Sequence, residues 1–199
     1  MRLDRNGHYD IPPGKLVEVV TYLEMTARPA PRPVPARADL ALRRVASADL
    51  DWYRGLFRQV GEPWLWASRL VLSDQELATI LHDPLVDLYA VEKDGRAEGI
   101  LELDRRFPPD IELAFFGVAP SLVGTGAGRW LMEQALDLAW RHAPRRFWVH
   151  TCSLDHPAAL AFYQRSGFVP YRRAIEIGDD PRLTGHYPAT AGAHIPLIA

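Results

Sequence analysis

The sequence lacks the features that would place it in a membrane, in a secretory pathway or in a disulfide-rich class. Cys152 is the single cysteine among 199 residues, which excludes an intramolecular disulfide and a cysteine-rich zinc site. No run reaches the roughly 18 apolar residues of a membrane-spanning helix. The N-terminal residues also lack the apolar stretch of a signal peptide. We therefore expect a cytoplasmic protein without a membrane partner.

An excess of charge of either sign is absent as well. The chain has 23 Lys and Arg against 25 Asp and Glu, for a formal net charge of −2. Proteins that bind nucleic acid usually carry a basic excess, so no nucleic-acid partner is expected. Hydrophobic residues make up 48% of the chain, which is typical of a globular protein. The length suits one domain with an appendage.

Proline, in contrast, is abundant, and it divides the chain. Residues 29–35 have proline at every second position, which favours an extended and semi-rigid segment. Before it, residues 15–25 are apolar and β-branched, which predicts an extra edge strand; a dimerisation arm is the alternative. We predict an N-terminal arm with a proline-rich tether (1–37), a main domain (38–178) and a C-terminal tail without regular structure (179–199).

From residue 40 onward, strand-like and helix-like segments alternate. Ser73 and Glu76 have the spacing of a capping box at a helix start, and Asp94-Gly95 predicts a hairpin turn. The pattern predicts an α/β or α+β fold with a mixed sheet between helices. Strands are expected at 40–45, 86–93, 97–105, 111–118, 146–151 and 168–177, and helices after Ser47, from Ser73, and at 129–142 and 157–165.

A glycine-rich turn is the most informative segment for function. It follows a predicted strand, opens a predicted helix, and reads Val123-Gly124-Thr125-Gly126-Ala127-Gly128. Glycines allow a ligand close to the backbone, and the free amides of a helix start favour a phosphate or pyrophosphate. The residues after Gly128 do not complete a P-loop, and no acid follows at the spacing of a dinucleotide fold. A purely structural turn remains the alternative.

Two motifs together resemble the GNAT superfamily of acyl-CoA-dependent N-acyltransferases. The family pattern Gln/Arg-x-x-Gly-x-Gly/Ala corresponds to residues 123–128, although Val123 replaces the polar first residue. A second family pattern corresponds to His156, Ala159, Tyr163 and Gly167-Phe168, with His156 in place of an asparagine. The resemblance covers roughly residues 38–177.

This resemblance implies a mixed, mostly antiparallel central sheet flanked by helices, with a splayed parallel strand pair at the acyl-CoA site. It also implies acetyl-CoA as the cosubstrate, and no metal is expected. The residues expected to bind the cosubstrate are Phe116, Gly117, Val118, Val123, Gly124, Thr125, Gly126, Ala127, Gly128, Arg129 and His156.

The resemblance further implies the catalytic residues. Tyr163 corresponds to the tyrosine that protonates the departing thiolate, and Glu112 corresponds to the base of one branch of the family. Strand alternation predicts that Ile111, Leu113 and Phe115 share one face and that Glu112, Ala114 and Phe116 share the other. Glu102 is the reserve base, although a surface charge is the more ordinary interpretation. Gly117 is expected to mark a bulge.

Other polar and aromatic side chains have less specific signals. Cys152 with His150 permits an acyl-cysteine mechanism, and His156 would complete a metal site, but a strand-end cysteine is usually packing. Trp64, Trp66 and Arg69 are expected to bind the acceptor, with core packing as the alternative for each tryptophan.

The sequence thus predicts an N-acetyltransferase that acetylates a primary amine of a small molecule by direct attack in a ternary complex. Two alternatives stay open: an acetyltransferase for protein lysines or N-termini, and a non-catalytic acyl-CoA-binding module on the same fold. A homodimer is left open.

Overall fold

A seven-stranded sheet with strand order β2-β3-β4-β5-β6-β1-β7 forms the centre of the fold. The computed structural model describes residues 6–199. The strands are β1 (Lys15–Met25), β2 (Ala41–Arg44), β3 (Val86–Lys93), β4 (Arg96–Asp104), β5 (Asp110–Val118), β6 (Arg146–Thr151) and β7 (Val169–Asp179). The helices are α1 (Leu50–Gly61), α2 (Asp74–Leu81), α3 (Ala127–Trp140) and α4 (Ala159–Arg165).

The strand pairing confirms the predicted fold class. Neighbouring strands are antiparallel except β5 and β6, which are parallel. The pairing of β5 with β6 extends from Asp110 opposite Arg146 to Glu112 opposite Trp148, and the strands then diverge. The divergence leaves the facing backbone groups of both strands available for a ligand.

Strand β1 lies inside the sheet, between β6 and β7. The prediction of an edge strand is therefore wrong, because local sequence does not tell where a strand is inserted. The proline-rich segment that follows contacts α3 and α4: Arg32 pairs with Glu133 at 2.8 Å and donates to the Arg165 carbonyl at 2.5 Å. The division of the chain into three parts stays a prediction.

Capping and turn residues determine where several helices and strands begin and end. The capping box of Ser73 and Glu76 is present at α2, and Asp94 and Gly95 form the β3–β4 turn with φ of 50° and 76°. Helix α1 begins after Asp49, whose side chain accepts from the Trp52 amide at 2.8 Å, and not after Ser47 as predicted.

Strand β5 contains a bulge that changes which side chains share a face. Leu103 pairs with Leu113 and Glu102 pairs with Phe115, so Ala114 is the extra residue. Leu113 packs with α3, whereas Phe115 packs with α1 on the opposite face. The predicted alternation beyond Leu113 is therefore wrong, and the predicted bulge at Gly117 lies three residues earlier.

The C-terminal tail has no helix or strand from residue 180 onward, close to the predicted boundary, and it is packed against the domain. Arg182 is buried, pairs with Asp180 at 2.6 Å and donates to the Ile195 carbonyl at 2.9 Å. Tyr187 joins the hydrophobic cluster on the α1 face. The tail is thus a fixed part of the tertiary structure. Within residues 6–199, no helix is both long enough and apolar enough to cross a membrane.

Candidate active site

A cavity of about 920 Å³ opens where β5 and β6 diverge. Its wall combines the second half of β5, the end of β6, the glycine turn, the start of α4, and parts of β1, β7 and the C-terminal tail. The segment after α1, residues 64–69, also lines it. Distant parts of the chain therefore meet at one place, and that place contains most of the residues predicted for the site.

The glycine turn adopts the conformation that an anion site needs. Gly124 and Gly126 have φ of 78° and 87°, and Gly126 is the N-cap of α3. A Cβ built on Gly124 would meet nothing within 4 Å, so the space beside the turn is open. The first amides of a helix have no carbonyl partner within it and attract negative charge. Gly124 and Gly128 line the cavity.

The other predicted cosubstrate residues lie around this turn. Phe116, Gly117, Val118, Val123 and His156 line the cavity, and Thr125, Ala127 and Arg129 complete the turn and the helix start. A Cβ on Gly117 would lie 2.6 Å from a methyl group of Val60, so this glycine allows close packing. Arg37, which sequence reasoning missed, donates to the Thr125 carbonyl at 3.0 Å and braces the turn.

Tyr163 is buried on α4 and lines the cavity. Its ring packs against those of Phe116 and Phe168, with centroids 6.1 and 5.9 Å away. Burial raises the pKa of the Tyr163 hydroxyl well above its usual value, with a smaller contribution from the charge of Asp155. The hydroxyl therefore keeps its proton at neutral pH, as a proton donor must.

Glu112 meets a histidine across the gap between the two diverging strands. The distance from His150 Nδ1 to Glu112 Oε1 is 3.4 Å, and both side chains line the cavity. The hydrogen bond to Glu112 raises the pKa of His150 above its usual value of 6.5, and burial opposes this shift. Sequence reasoning considered His150 only beside Cys152, because the pairing with Glu112 depends on the strand register.

Glu102 is fully buried, so the prediction of a surface charge is wrong. Its carboxylate pairs with Arg69 Nη2 at 2.5 Å and accepts from the Tyr53 hydroxyl at 2.8 Å. Both oxygens are engaged, which leaves Glu102 unsuited to the role of reserve base. Arg69 also lies 4.8 Å from the ring centroid of Phe115, and it lines the cavity.

Asp155 is a second residue that sequence reasoning missed. It accepts from the Thr151 hydroxyl at 2.7 Å, from the Cys152 amide at 2.9 Å and from Trp66 Nε1 at 2.9 Å. It thereby ties the end of β6 to the segment after α1. The sequence offered only an acid between a strand and a helix, which is a common loop feature.

The predicted acceptor residues Trp64, Trp66 and Arg69 all line the cavity. Trp64 contacts the rings of His156 and His194 edge-on, at centroid distances of 5.1 and 5.8 Å. The backbone carbonyl of Trp66 accepts from the Tyr187 hydroxyl at 2.7 Å. Tail residues therefore hold this wall in place, and three of them (Pro181, Thr184 and His186) line the cavity themselves.

Cys152 lines the cavity but is poorly suited to nucleophilic catalysis. Burial raises the pKa of its thiol strongly, and the nearby carboxylates of Asp155 and Glu18 add to the shift. The reactive form of a cysteine is the thiolate, which this environment disfavours. No group of three or more metal-ligating side chains occurs in the part of the chain that the structure describes.

The cavity wall is negatively charged. Its acidic residues are Glu18, Asp104, Glu112, Asp155, Glu176 and Asp179. Within residues 6–199, its only Lys or Arg side chains are Arg69 and Arg106, and both are paired with carboxylates. Burial, together with the charges of Glu176 and Asp155, raises the pKa of Glu18. Such an environment favours a cationic ligand.

A sequence profile of the Acetyltransferase (GNAT) family matches residues 50–168, which is more than half of the chain. The chain belongs to the GNAT family. The match includes the glycine turn, Glu112 and Tyr163, and it begins after β1 and ends before β7. A comparison with curated proteins finds no match.

Solved structures share the GNAT fold at low sequence identity. A functionally unknown protein from Staphylococcus epidermidis is 15% identical with a TM-score of 0.58, and the match covers 84% of this chain and 63% of that one. A GCN5-related N-acetyltransferase from Sphaerobacter thermophilus is 16% identical with a TM-score of 0.61, covering 82% and 52%. The chain therefore spans less than two thirds of these two proteins.

A third solved structure is a spermidine N-acetyltransferase SpeG chimera from Vibrio cholerae and hSSAT. It is 23% identical with a TM-score of 0.53, and the match covers 68% of this chain and 83% of that one. At these identities, all three structures support the fold.

GNAT proteins generally use acetyl-CoA or another acyl-CoA, and the residues present fit such a donor. The open turn at Gly124 and Gly126 can accept a pyrophosphate, and the gap between β5 and β6 can accept an extended pantetheine arm. Val123 and His156, which depart from the family pattern, leave the backbone amides of the turn unchanged.

Proposed function

We propose that this GNAT protein transfers an acetyl group from acetyl-CoA to a primary amine of a small molecule, by direct attack in a ternary complex. One observation carries the proposal: the glycine turn before α3 and the Tyr163 side chain both border the cavity at which β5 and β6 diverge. A phosphate site and a proton donor on one cavity are the two groups that a thioester donor requires.

In this proposal the cosubstrate is held mainly by backbone. The amides of Gly124, Gly126, Gly128 and Arg129 bind the pyrophosphate, and the Arg129 side chain lies near it at the exposed helix start. The free edge of β5 from Phe116 to Val118 binds the pantetheine and stabilises the negative charge that develops on the thioester oxygen. Val123 and His156 border this path. Acetyl-CoA supplies an acyl group activated as a thioester.

The protein's own groups move two protons. The Glu112–His150 pair accepts a proton from the ammonium form of the acceptor, so that the neutral nitrogen attacks the carbonyl carbon. A C–N bond forms, the C–S bond breaks, and the Tyr163 hydroxyl gives its proton to the departing sulfur. The amide nitrogen then loses its remaining proton to solvent, and Tyr163 regains one. Burial raises the pKa of Tyr163, so its hydroxyl still carries the proton when the thiolate leaves.

The acceptor is proposed to be a small amine with more than one positive charge. The acidic wall with Glu18 and Glu112 supports this class, because neither carboxylate has a Lys or Arg partner among the described residues. Trp64 and Trp66 would contact the carbon chain, and Arg69 fixes the wall through Glu102. One solved structure with the same fold is named a spermidine N-acetyltransferase.

Thiol release from acetyl-CoA tests the proposal. We expect turnover with a polyamine, less with a monoamine of similar length, and none with an amine whose second group is a carboxylate. Tyr163→Phe, which removes one oxygen, should bind CoA normally and lose about 10²–10⁴-fold in kcat. Binding of CoA without thiol release from any amine would indicate an acyl-CoA-binding module instead, and turnover with lysine peptides alone would indicate a protein acetyltransferase.

A further inference from the structure

The two edges of the sheet differ greatly in length and composition. Strand β2, at one edge, has four residues, of which two are arginines. Strand β7, at the other, has eleven residues, and every one except Ala174 is exposed. Proteins usually protect edge strands by shortness or charge, because an open edge can pair with another chain. The β2 edge is both short and charged, whereas β7 is long and combines Pro170 and four charged residues with exposed apolar side chains.

The exposed side chains of β7 include large apolar groups. Val169, Ile175 and Ile177 have relative exposures of 63%, 40% and 48%. Side chains of this type are favoured in strands that pack against neighbours. A long, apolar and open edge therefore has the composition of a strand with a neighbour on both sides.

We propose that β7 pairs antiparallel with β7 of a second copy of this chain, about a twofold axis at Ala174. The two seven-stranded sheets then form one continuous sheet across the dimer. This interface is isologous, so each contact between two different residues occurs twice. The proposal does not depend on the acceptor or on the chemistry proposed above.

The charges along β7 favour this register, because Ala174 is the only centre within β7 that opposes unlike charges without also opposing like ones. Residues opposite each other in an antiparallel pair share a face, so a symmetric pairing is centred on a single residue. With Ala174 at the centre, Arg172 lies opposite Glu176 of the second copy, and the same pair forms again on the other side. Centring on Arg172, Arg173 or Glu176 would place two like charges opposite each other, which is destabilising.

The two charged residues are available for such pairing. Arg172 lies over the Tyr22 ring at 4.7 Å, and none of the described residues forms an ion pair with Arg172 or Glu176. Glu176 lines the cavity. The dimer therefore brings Arg172 of the second copy to the rim of the acidic cavity, where it neutralises one carboxylate on the β7 side.

Charge reversal tests the interface through the molecular mass in solution. Across a concentration series in sedimentation equilibrium, the wild type should be a dimer. Arg172→Glu and Glu176→Arg should each weaken dimerisation about 10–100-fold, since each reversal creates two like-charge pairs. The double variant Arg172→Glu/Glu176→Arg should restore wild-type dimerisation, because the opposite charges meet again.

Arg173→Glu is the matched control. It makes the same charge change on the same strand but lies opposite Ile175 in this register, so dimerisation should stay within about threefold of the wild type. Circular dichroism checks that each variant is folded. A wild type that is monomeric throughout, single reversals that dimerise normally, or a double variant that remains dissociated would each overturn the proposal.

Discussion

The cavity has a proposed cosubstrate half and a proposed acceptor half, and these two halves are built in different ways. The cosubstrate half, apart from His156, is contiguous in sequence from Phe116 to Arg129, and it presents mainly backbone amides. The acceptor half brings together β1, the segment after α1, the end of β6, β7 and the C-terminal tail, and presents side chains. A site made of backbone can be recognised in a local motif, whereas a site made of side chains from distant segments cannot.

The largest effect is expected at the framework of the acceptor half. Arg69→Met would leave the fully buried Glu102 without its cationic partner. Breaking one side of a buried ion pair should lower the free energy of unfolding by about 3–5 kcal/mol. Denaturant unfolding measures this change. The ion pair next to the glycine turn, Arg37 with Asp39, is exposed at Asp39, so the loss would show that the two halves depend on different interactions.

The double variant Arg69→Met/Glu102→Gln is the control for this experiment. It contains no buried charge at this place, and the glutamine oxygen can still accept from Tyr53. We expect it to recover more than half of the lost stability. If the double variant is as unstable as Arg69→Met, the effect comes from packing and not from an unpaired carboxylate.

The second effect concerns the cosubstrate half. Gly126→Trp would place a large ring at the turn, where the nearest atom to the added Cβ is Arg129 Nη2 at 4.0 Å, and it should weaken CoA binding at least about 100-fold, roughly 2.8 kcal/mol, measured by calorimetry. Gly95→Trp is matched to it, since Gly95 also has positive φ and open surroundings but lies in the β3–β4 turn. Equal CoA affinity in these two variants would mean that the turn is only structural.

The smallest effect is expected in the pH dependence of kcat, through the Glu112–His150 pair. With the His150 pKa raised by Glu112, the histidine is protonated at low pH and cannot accept a proton, so activity should fall as the pH drops through that pKa. Glu112→Gln removes the largest cause of the shift, so the acid limb of the kcat profile should move to lower pH. A limb that stays in place would show that His150 is not the group that titrates.

The parts of the fold that could be predicted from the sequence are those that depend on residues close together in the chain. The capping box at Ser73, the turn at Asp94-Gly95 and the helix start at the glycine turn each depend on residues within a few positions of one another. The bulge at Ala114 was missed because it depends on the register with β4. That one residue moved Phe115 to the opposite face of the sheet from the one predicted.

The same distinction between local and long-range contacts applies to the candidate site. Glu102 and Asp155 are ordinary acids in the sequence, and only their partners in three dimensions (Arg69 for one, Trp66 for the other) give them structural roles. His150 acquires its neighbour Glu112 because β5 and β6 run parallel before they diverge. A one-dimensional pattern contains no information on such register-dependent contacts.

By itself, the sequence indicated that the chain forms a mixed sheet with a glycine-rich helix start and a tyrosine four residues before Gly167-Phe168. Backbone conformation depends on near neighbours, so these features are encoded locally. Only the tertiary structure decided that β1 enters the sheet between β6 and β7 and that the tail closes one wall of the cavity. The position of β1 and the packing of the tail depend on burial and ion pairing between residues that are distant in sequence. These long-range contacts give the proposed acceptor half its shape and its negative charge.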